Sequence, residues 1–431
     1  MDKDEEEKLE YCSLINADYS SKRGCTVWRA TLNYLAVMFG GVGVLSFPFC
    51  ILLSGWFAVV AMCVIPIVCC YTATLLMDCM YQTADQERIR VRFTWEDIAE
   101  ACFPCYGTQL IVVTRCLHFL LICSMYLVVS GALLHSLEPL GVIDEAWWRV
   151  ICSVIVLPTA FLTNWSVMVW MSLLSVFSLA LACSAIMGVS INRVSTWTFA
   201  SIAANGGTQG IFISINAILL GNNAHDMLPF IEESMADKKK INFVVFFSYG
   251  VSIPLKLLFS MFAFLTFTYS TKAIVLQNLP TNWISFVTFI PTVLSSLGTY
   301  APTMYGIIIT LDQFLDNYEK KQEKGGKVAK KALFALVRVL PVLTSLIIAH
   351  FVTNFALLCA FTSSILVSAY AYIFPAGFHL CLKFRELTYR QIIIDIILVI
   401  TGFASAIIGA TFSIIALIKT APFADSTIEL A

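Results

Sequence analysis

Charged side chains are scarce in this sequence. They make up 13% of its 431 residues, where a soluble globular chain carries about 25%. The net charge of −1 leaves no basic excess to attract nucleic acid. Long polar segments are missing as well, the longest having about 28 residues, too few to enclose a core, so no soluble domain is expected. The first ten residues, MDKDEEEKLE, lack the apolar stretch of a signal peptide. The fifteen cysteines show neither a disulfide framework nor a metal pattern. Cys69-Cys70, Cys123, Cys183 and Cys359 lie in apolar runs, where a thiol behaves as a small hydrophobe. Cys102-Phe-Pro-Cys105 has no second pair or histidine at zinc spacing, so no metal and no cofactor are expected.

What the chain has instead is apolar surface: 59% of its residues are hydrophobic, and the mean hydropathy is +0.82. Crossing a bilayer takes about 20 apolar residues. Eleven stretches qualify: roughly Ala30–Ser54, Phe57–Met80, Leu110–Leu134, Trp147–Leu162, Val167–Val189 and Gly210–Phe230, then Phe243–Tyr269, Trp283–Leu311, Leu333–Phe351, Leu357–Leu380 and Ile392–Ile418. The expected fold is an all-α integral membrane protein with about eleven transmembrane helices. The fourth stretch is short, and only His350 to Asn354 separate the ninth from the tenth, so a count of ten or twelve stays open.

Basic residues orient these spans. With the N-terminus in the cytoplasm, 20 of the 27 lie on the cytoplasmic side, against Arg149, Arg193, Lys272 and Lys419 on the other. That bias fixes the N-terminus inside, and an odd number of spans puts the C-terminus outside or in a lumen. Asn164-Trp-Ser166 matches a glycosylation acceptor but falls in a cytoplasmic loop, where no oligosaccharide is added. Glu319 to Lys331 reads as a solvated cytoplasmic linker.

Two spans carry sequence unsuited to an unbroken helix. The first holds Phe39-Gly-Gly-Val-Gly-Val-Leu-Ser-Phe-Pro-Phe49 at its centre. Unwound backbone in lipid leaves N–H and C=O groups without partners, so a break survives only where it lines an enclosed cavity. Glycine lets a ligand approach the backbone, proline removes a donor, and the freed N–H groups at a half-helix end can hold a carboxylate. The alternative is that these glycines only allow close helix packing. The sixth span holds Leu219-Leu-Gly-Asn-Asn-Ala-His-Asp-Met-Leu-Pro229. Two breaks five spans apart point to a central substrate site, since transporters build their sites from paired discontinuous helices.

The residues around both breaks resemble the amino acid/auxin permease family. The carrying stretches are Gly41-Val-Gly-Val-Leu-Ser-Phe-Pro-Phe-Cys-Ile-Leu-Leu-Ser-Gly-Trp56 and Ala224-His-Asp-Met-Leu-Pro-Phe-Ile-Glu-Glu-Ser-Met235. Val68-Cys-Cys-Tyr-Thr72, Cys79, Tyr81, Arg90-Val-Arg92, Ile98-Ala99 and Tyr126-Leu-Val-Val-Ser-Gly131 are similar to its vesicular inhibitory amino acid transporter branch. The resemblance implies the five-plus-five inverted repeat of the bacterial leucine transporter and ion-coupled amino acid transport. On this plan, residues 1–28 are a short cytoplasmic tail and 29–420 the transporter domain. Repeat one covers about 29–191, repeat two about 208–381 and an extra helix about 391–419, leaving 421–431 as a lumenal or extracellular tail. Two departures stand out. Val37 occupies the position where sodium-coupled relatives and the vesicular branch carry asparagine, which points to protons as the coupled ion, with backbone carbonyls as sodium ligands the alternative. The vesicular branch also has a longer N-terminal tail than the one here.

For an amino acid substrate, backbone at Gly41, Val42 and Gly43 would receive the carboxylate, and Tyr126 would donate its hydroxyl; a packing tyrosine is the alternative. Asn222 and Asn223 would accept from the substrate ammonium. Thr299, beside Pro302, is a further candidate, against a hydroxyl bonded back within its own helix. His225 is the proton-coupling candidate, since a free imidazole titrates at about pH 6.5, with Asp226 as charge partner; a histidine capping the broken helix is the alternative. Arg115 and His118 share a face of span three, as a cytoplasmic gate or as an arginine snorkelling to the interface. Lys256 and Asp395 are charges within spans, noted without a role.

Glu10-Tyr-Cys-Ser-Leu-Ile15 fits an acidic dileucine sorting pattern, with Glu10, Leu14 and Ile15 as its marks, readable by coat adaptors on a vesicular or endolysosomal protein. The sequence therefore reads as a proton-coupled transporter of small neutral amino acids, not an enzyme. The rival of another class is a sensor or scaffold that keeps the transporter fold. The expected partners are the amino acid, the lipid bilayer and the adaptors.

Overall fold

The structure is a computed structural model. It describes residues 24–420 except 41, 85, 86, 139–141, 162–164, 205, 281 and 322–326. The sorting residues Glu10, Leu14 and Ile15, the site residue Gly41 and the acceptor Asn164 lie outside the described residues.

The described chain begins with α1 (Val27–Gly40), a 3-10 turn over Val42–Ser46 and α2 (Phe47–Ser54), followed by α3 (Trp56–Met80). A hairpin of β1 (Tyr81–Ala84) and β2 (Glu87–Arg90) leads to α4 (Trp95–Cys102). Then come α5 (Gly107–Leu137), α6 (Glu145–Val156) running into a 3-10 turn to Phe161, and α7 (Trp165–Asn192). Further along lie α8 (Thr208–Leu220), α9 (Leu228–Ser234), α10 (Ile241–Phe267), α11 (Trp283–Lys321), α12 (Lys327–Phe351) and α13 (Phe355–Thr362). After α13, two π turns over Ser363–Val367 and Ala369–Ile373 continue into α14 (Phe374–Lys383), and α15 (Tyr389–Thr420) closes the chain.

Among the described residues, eight helices are long and apolar enough to cross a bilayer. The bent pair Val27–Phe39 and Val42–Ser54, at 47°, makes a ninth. The other two expected spans fail the length criterion for different reasons: Glu145–Phe161 is short, and Thr208–Ser234 is interrupted between α8 and α9. Helices thus stand at all eleven expected places. Asn354 separates the ninth from the tenth by capping α13, its side chain accepting from the Leu357 N–H at 3.2 Å.

Lipid-facing stripes follow the helical period. Val60, Val64 and Ile67 on α3 are exposed, as are Ile393, Ile397, Ile400 and Ile407 on α15. Such apolar faces suit a hydrocarbon surrounding rather than water. Among the described residues the interior holds two large clusters and a small third around Ile213, Leu357 and Ala416. One large cluster joins Tyr34, Phe47, Cys69, Tyr249 and Tyr370; the other joins Val42, Leu45, Tyr126, Tyr300 and Phe355. The first break contributes to both, so it lies where they meet.

Two features differ from the sequence expectation. Residues 319–331 are not wholly a linker, since α11 runs on to Lys321 and α12 starts at Lys327. Hydropathy marks where a helix leaves lipid, while its backbone hydrogen bonds continue into water. The segment after Met80 is also more ordered than a polar loop: β1 pairs antiparallel with β2, and Thr94 and Asp97 form a capping box that starts α4. At the α2–α3 junction Gly55 has φ +61°, and a Cβ there would stand 2.1 Å from the Ala203 carbonyl oxygen, so only glycine fits.

Candidate substrate site at two broken helices

Both breaks have the same build: half-helix, short irregular turn, and a second half-helix with proline in its first turn. Pro48 opens α2 and Pro229 opens α9. Proline is suited there because those N–H groups have no helical acceptor. The two turns meet backbone to backbone. A Cβ on Gly43 would lie 3.6 Å from the Cα of Gly221, and one on Gly221 would lie 2.6 Å from the Phe47 ring. Val42 and Gly43 are buried, and the Ser46 hydroxyl donates to the Gly43 carbonyl at 2.8 Å.

The second break is held by side chains from three other spans. Lys256 of α10 donates to the Gly221 carbonyl at 2.7 Å and to Asn222 Oδ1 at 3.1 Å. Tyr249, two turns earlier on the same helix, donates to the Asn222 carbonyl at 3.0 Å. Asn222 Nδ2 donates to Ile218 O at 2.8 Å, so both ends of its amide have a partner. Asn223 Oδ1 faces His225 Nδ1 at 2.8 Å, and His225 Nε2 faces the Thr72 hydroxyl of α3 at 3.0 Å. Asp226 pairs with His118 of α5 at 3.3 Å, and Arg115 pairs with Glu96 of α4 at 2.7 Å. His118 and Arg115 therefore have separate acidic partners, and Asp226 turns to His118 rather than standing with His225 alone.

Tyr126 is buried in the cluster that contains Val42 and Leu45, with its hydroxyl toward Thr303 of α11. Thr299 bonds back to the Ser295 carbonyl at 2.9 Å within its own helix. The structure thus brings Gly43, Asn222, Asn223 and His225 to the paired breaks, and leaves Thr299 with its hydroxyl proton used locally.

A profile of the family described as "Transmembrane amino acid transporter protein" matches residues 23–415, which takes in both breaks and all but the end of the last described span. The chain belongs to that family. Curated relatives include the vesicular inhibitory amino acid transporter of Xenopus tropicalis, 28% identical over 92% of this chain and 78% of its own length. The vesicular GABA transporter of Caenorhabditis elegans is 25% identical over 90% of this chain and 79% of its own. Among solved structures, the inward-facing conformation of Mhp1 aligns with a TM-score of 0.55 at 14% identity, covering 94% of this chain and 93% of Mhp1. MhsT in complex with L-phenylalanine aligns with a TM-score of 0.50 at 10% identity, covering 89% and 98%. The fold is the five-plus-five arrangement of the leucine-transporter type. Family and fold together make the protein a secondary amino acid transporter, not an enzyme.

In this transporter α9, which follows the second break, is tied to the β1–β2 hairpin by groups the sequence gave no reason to connect. Arg90, at the end of β2, and Glu232 of α9 form a fully buried ion pair at 3.0 Å. Tyr81 donates to the other Glu232 oxygen, and Arg90 reaches the Pro229 carbonyl at 3.4 Å. Burial, then the Glu232 carboxylate, pushes the Tyr81 hydroxyl above the ordinary tyrosine range, so it stays protonated and donates. Next to them, Cys25 N donates to Ser234 O at 2.8 Å, and Ala236 N donates to Cys25 O at 3.1 Å. Lys256, Tyr249, Thr72 and Glu232 escaped sequence reasoning as site residues. A lysine inside an apolar span was the available signal for the first; the others needed the fold.

Proposed function

We propose that this transporter couples movement of small neutral amino acids to protons by alternating access, exchanging the two across a vesicular or endolysosomal membrane. The observation that carries the proton reading is the surroundings of His225. A neutral ring donates from Nδ1 to Asn223 and accepts at Nε2 from Thr72. A protonated ring donates from both nitrogens, while the Thr72 hydrogen turns to the Cys69 carbonyl at 3.1 Å. Both charge states keep their hydrogen bonds without rearrangement, as a proton carrier in a dry site requires.

The substrate carboxylate would meet Gly41, Val42, Gly43 and the Tyr126 hydroxyl, with its ammonium toward the oxygens of Asn222 and Asn223. The names of the vesicular relatives support a small neutral substrate and a vesicle membrane. The basic residues Arg88, Arg90, Arg92 and Lys238 to Lys240 flank the elements tied to the start of α1, which supports a cytoplasmic N-terminus carrying the adaptor pattern at Glu10, Leu14 and Ile15.

Purified protein in proteoliposomes with an imposed pH gradient, offered a panel of radiolabelled amino acids, tests this reading. Saturable accumulation that follows the gradient supports it. Binding without flux would identify a sensor instead, and sodium-driven, pH-independent uptake would remove the proton.

A further inference from the structure

Lys256 lies on a membrane-spanning helix, is 2% exposed, and does not run to the interface as a snorkelling lysine does. Its ammonium turns instead to the broken sixth span, where it meets the Gly221 carbonyl and Asn222 Oδ1, with the Phe39 ring centroid 5.2 Å away. Among the described residues no carboxylate forms an ion pair with it. Cys69 of α3 is the ionisable group that faces it from a neighbouring helix. Its contacts are donors of electron density: a freed backbone carbonyl, an amide oxygen and an aromatic face.

That is the donor set of a monovalent cation site. Carbonyl oxygens at the C-terminal end of a half-helix carry the partial negative charge of the helix dipole, and unwound carbonyls coordinate cations in transporters of this build. The ring face adds cation–π attraction. A buried charge is costly without such compensation, and this one is compensated by the break itself. The break and the lysine explain each other.

We propose that Lys256 is the resident cation of the substrate site: its tethered ammonium fills the cation position formed by Gly221, Asn222 and Phe39, in place of a dissolved metal ion. The proposal rests on the amino acid transport reading and deepens it, because it supplies a reason why sodium is dispensable. The third N–H of the ammonium is the one left to meet a substrate carboxylate.

The experiment compares wild type with Lys256→Ala and Lys256→Met, purified and reconstituted. Glycine binding and melting midpoint are measured in N-methyl-D-glucamine, sodium and n-propylammonium buffers at constant ionic strength. Wild type is expected to be indifferent to the added cation. Lys256→Ala is expected to lose about tenfold or more in glycine affinity, with sodium or n-propylammonium restoring it saturably. A lysine that only caps α8 would not make substrate binding depend on a dissolved cation. Glycine binding by either variant equal to wild type without added cation overturns the proposal, and so does wild-type binding or melting that rises saturably with sodium. If wild type bound no amino acid, the transport reading would fail, and the cation dependence of melting would still decide this one. If Lys256→Ala does not fold, Lys256→Met keeps the stem, and the wild-type sodium arm stands alone.

Discussion

Glutamine at position 225 retains a hydrogen-bonding side chain between Asn223 and Thr72 but cannot take up a proton. His225→Gln is therefore expected to bind amino acid while its uptake loses dependence on the pH gradient, measured as initial rate against internal pH. Unchanged pH dependence would leave His225 as a cap for α9. A second residue test concerns contact between the breaks. Gly221→Ala places a methyl group 2.6 Å from the ring of fully buried Phe47. Overpacking of that kind costs about 1–3 kcal/mol, so the melting midpoint should fall, and Phe47→Leu should recover part of the loss. A Gly221→Ala variant as stable as wild type would mean that the two turns are not in contact. At this scale the sequence was readable wherever a residue type was out of place in its span. Asn222, His225 and Lys256 all announce themselves in apolar surroundings. Their partners do not, because Lys256 and Gly221 are 35 positions apart and nothing in a linear pattern says which face of α10 meets the unwound turn.

The elements tied together beyond the second break act as a unit: the β1–β2 hairpin, α9 and the start of α1. Arg90 and Glu232 are both out of contact with solvent. Removing one partner of such a pair leaves an uncompensated charge and costs about 3–5 kcal/mol. Glu232→Gln should therefore lower the melting midpoint strongly, whereas Arg90→Met combined with Glu232→Leu should lower it less. A single variant as stable as wild type would show that the pair is hydrated. Tyr81→Phe removes one hydrogen bond and should cost about 1.5–3 kcal/mol, since the acceptor is charged. Element boundaries were legible to different degrees for one physical reason. Hydropathy reports contact with lipid, so it located α3, α5 and α15 well. It cannot report hydrogen bonding outside lipid, which is why the α11 extension to Lys321 and the hairpin after Met80 were missed. The sixth span was found by its polar interruption, although neither α8 nor α9 is long enough to cross the bilayer.

At the scale of the whole molecule, the inverted repeat and the sidedness of the chain make one linked claim. Two repeats of five spans plus one extra helix would give an odd number of crossings and so predict termini on opposite sides. The basic-residue bias, 20 of 27 on one side, then predicts a cytoplasmic N-terminus. Epitope tags at the two ends of the full chain test both statements in intact and selectively permeabilised cells. The N-terminal tag should be reached when only the plasma membrane is opened, and the C-terminal tag only when the internal membrane is opened or, at the cell surface, from outside. Both tags on one side would break the odd count and with it the pseudo-symmetry that pairs span one with span six. Reversed sidedness would keep the fold but place the Arg90–Glu232–Tyr81 cluster on the lumenal side, so that an acidic lumen would act on that ion pair.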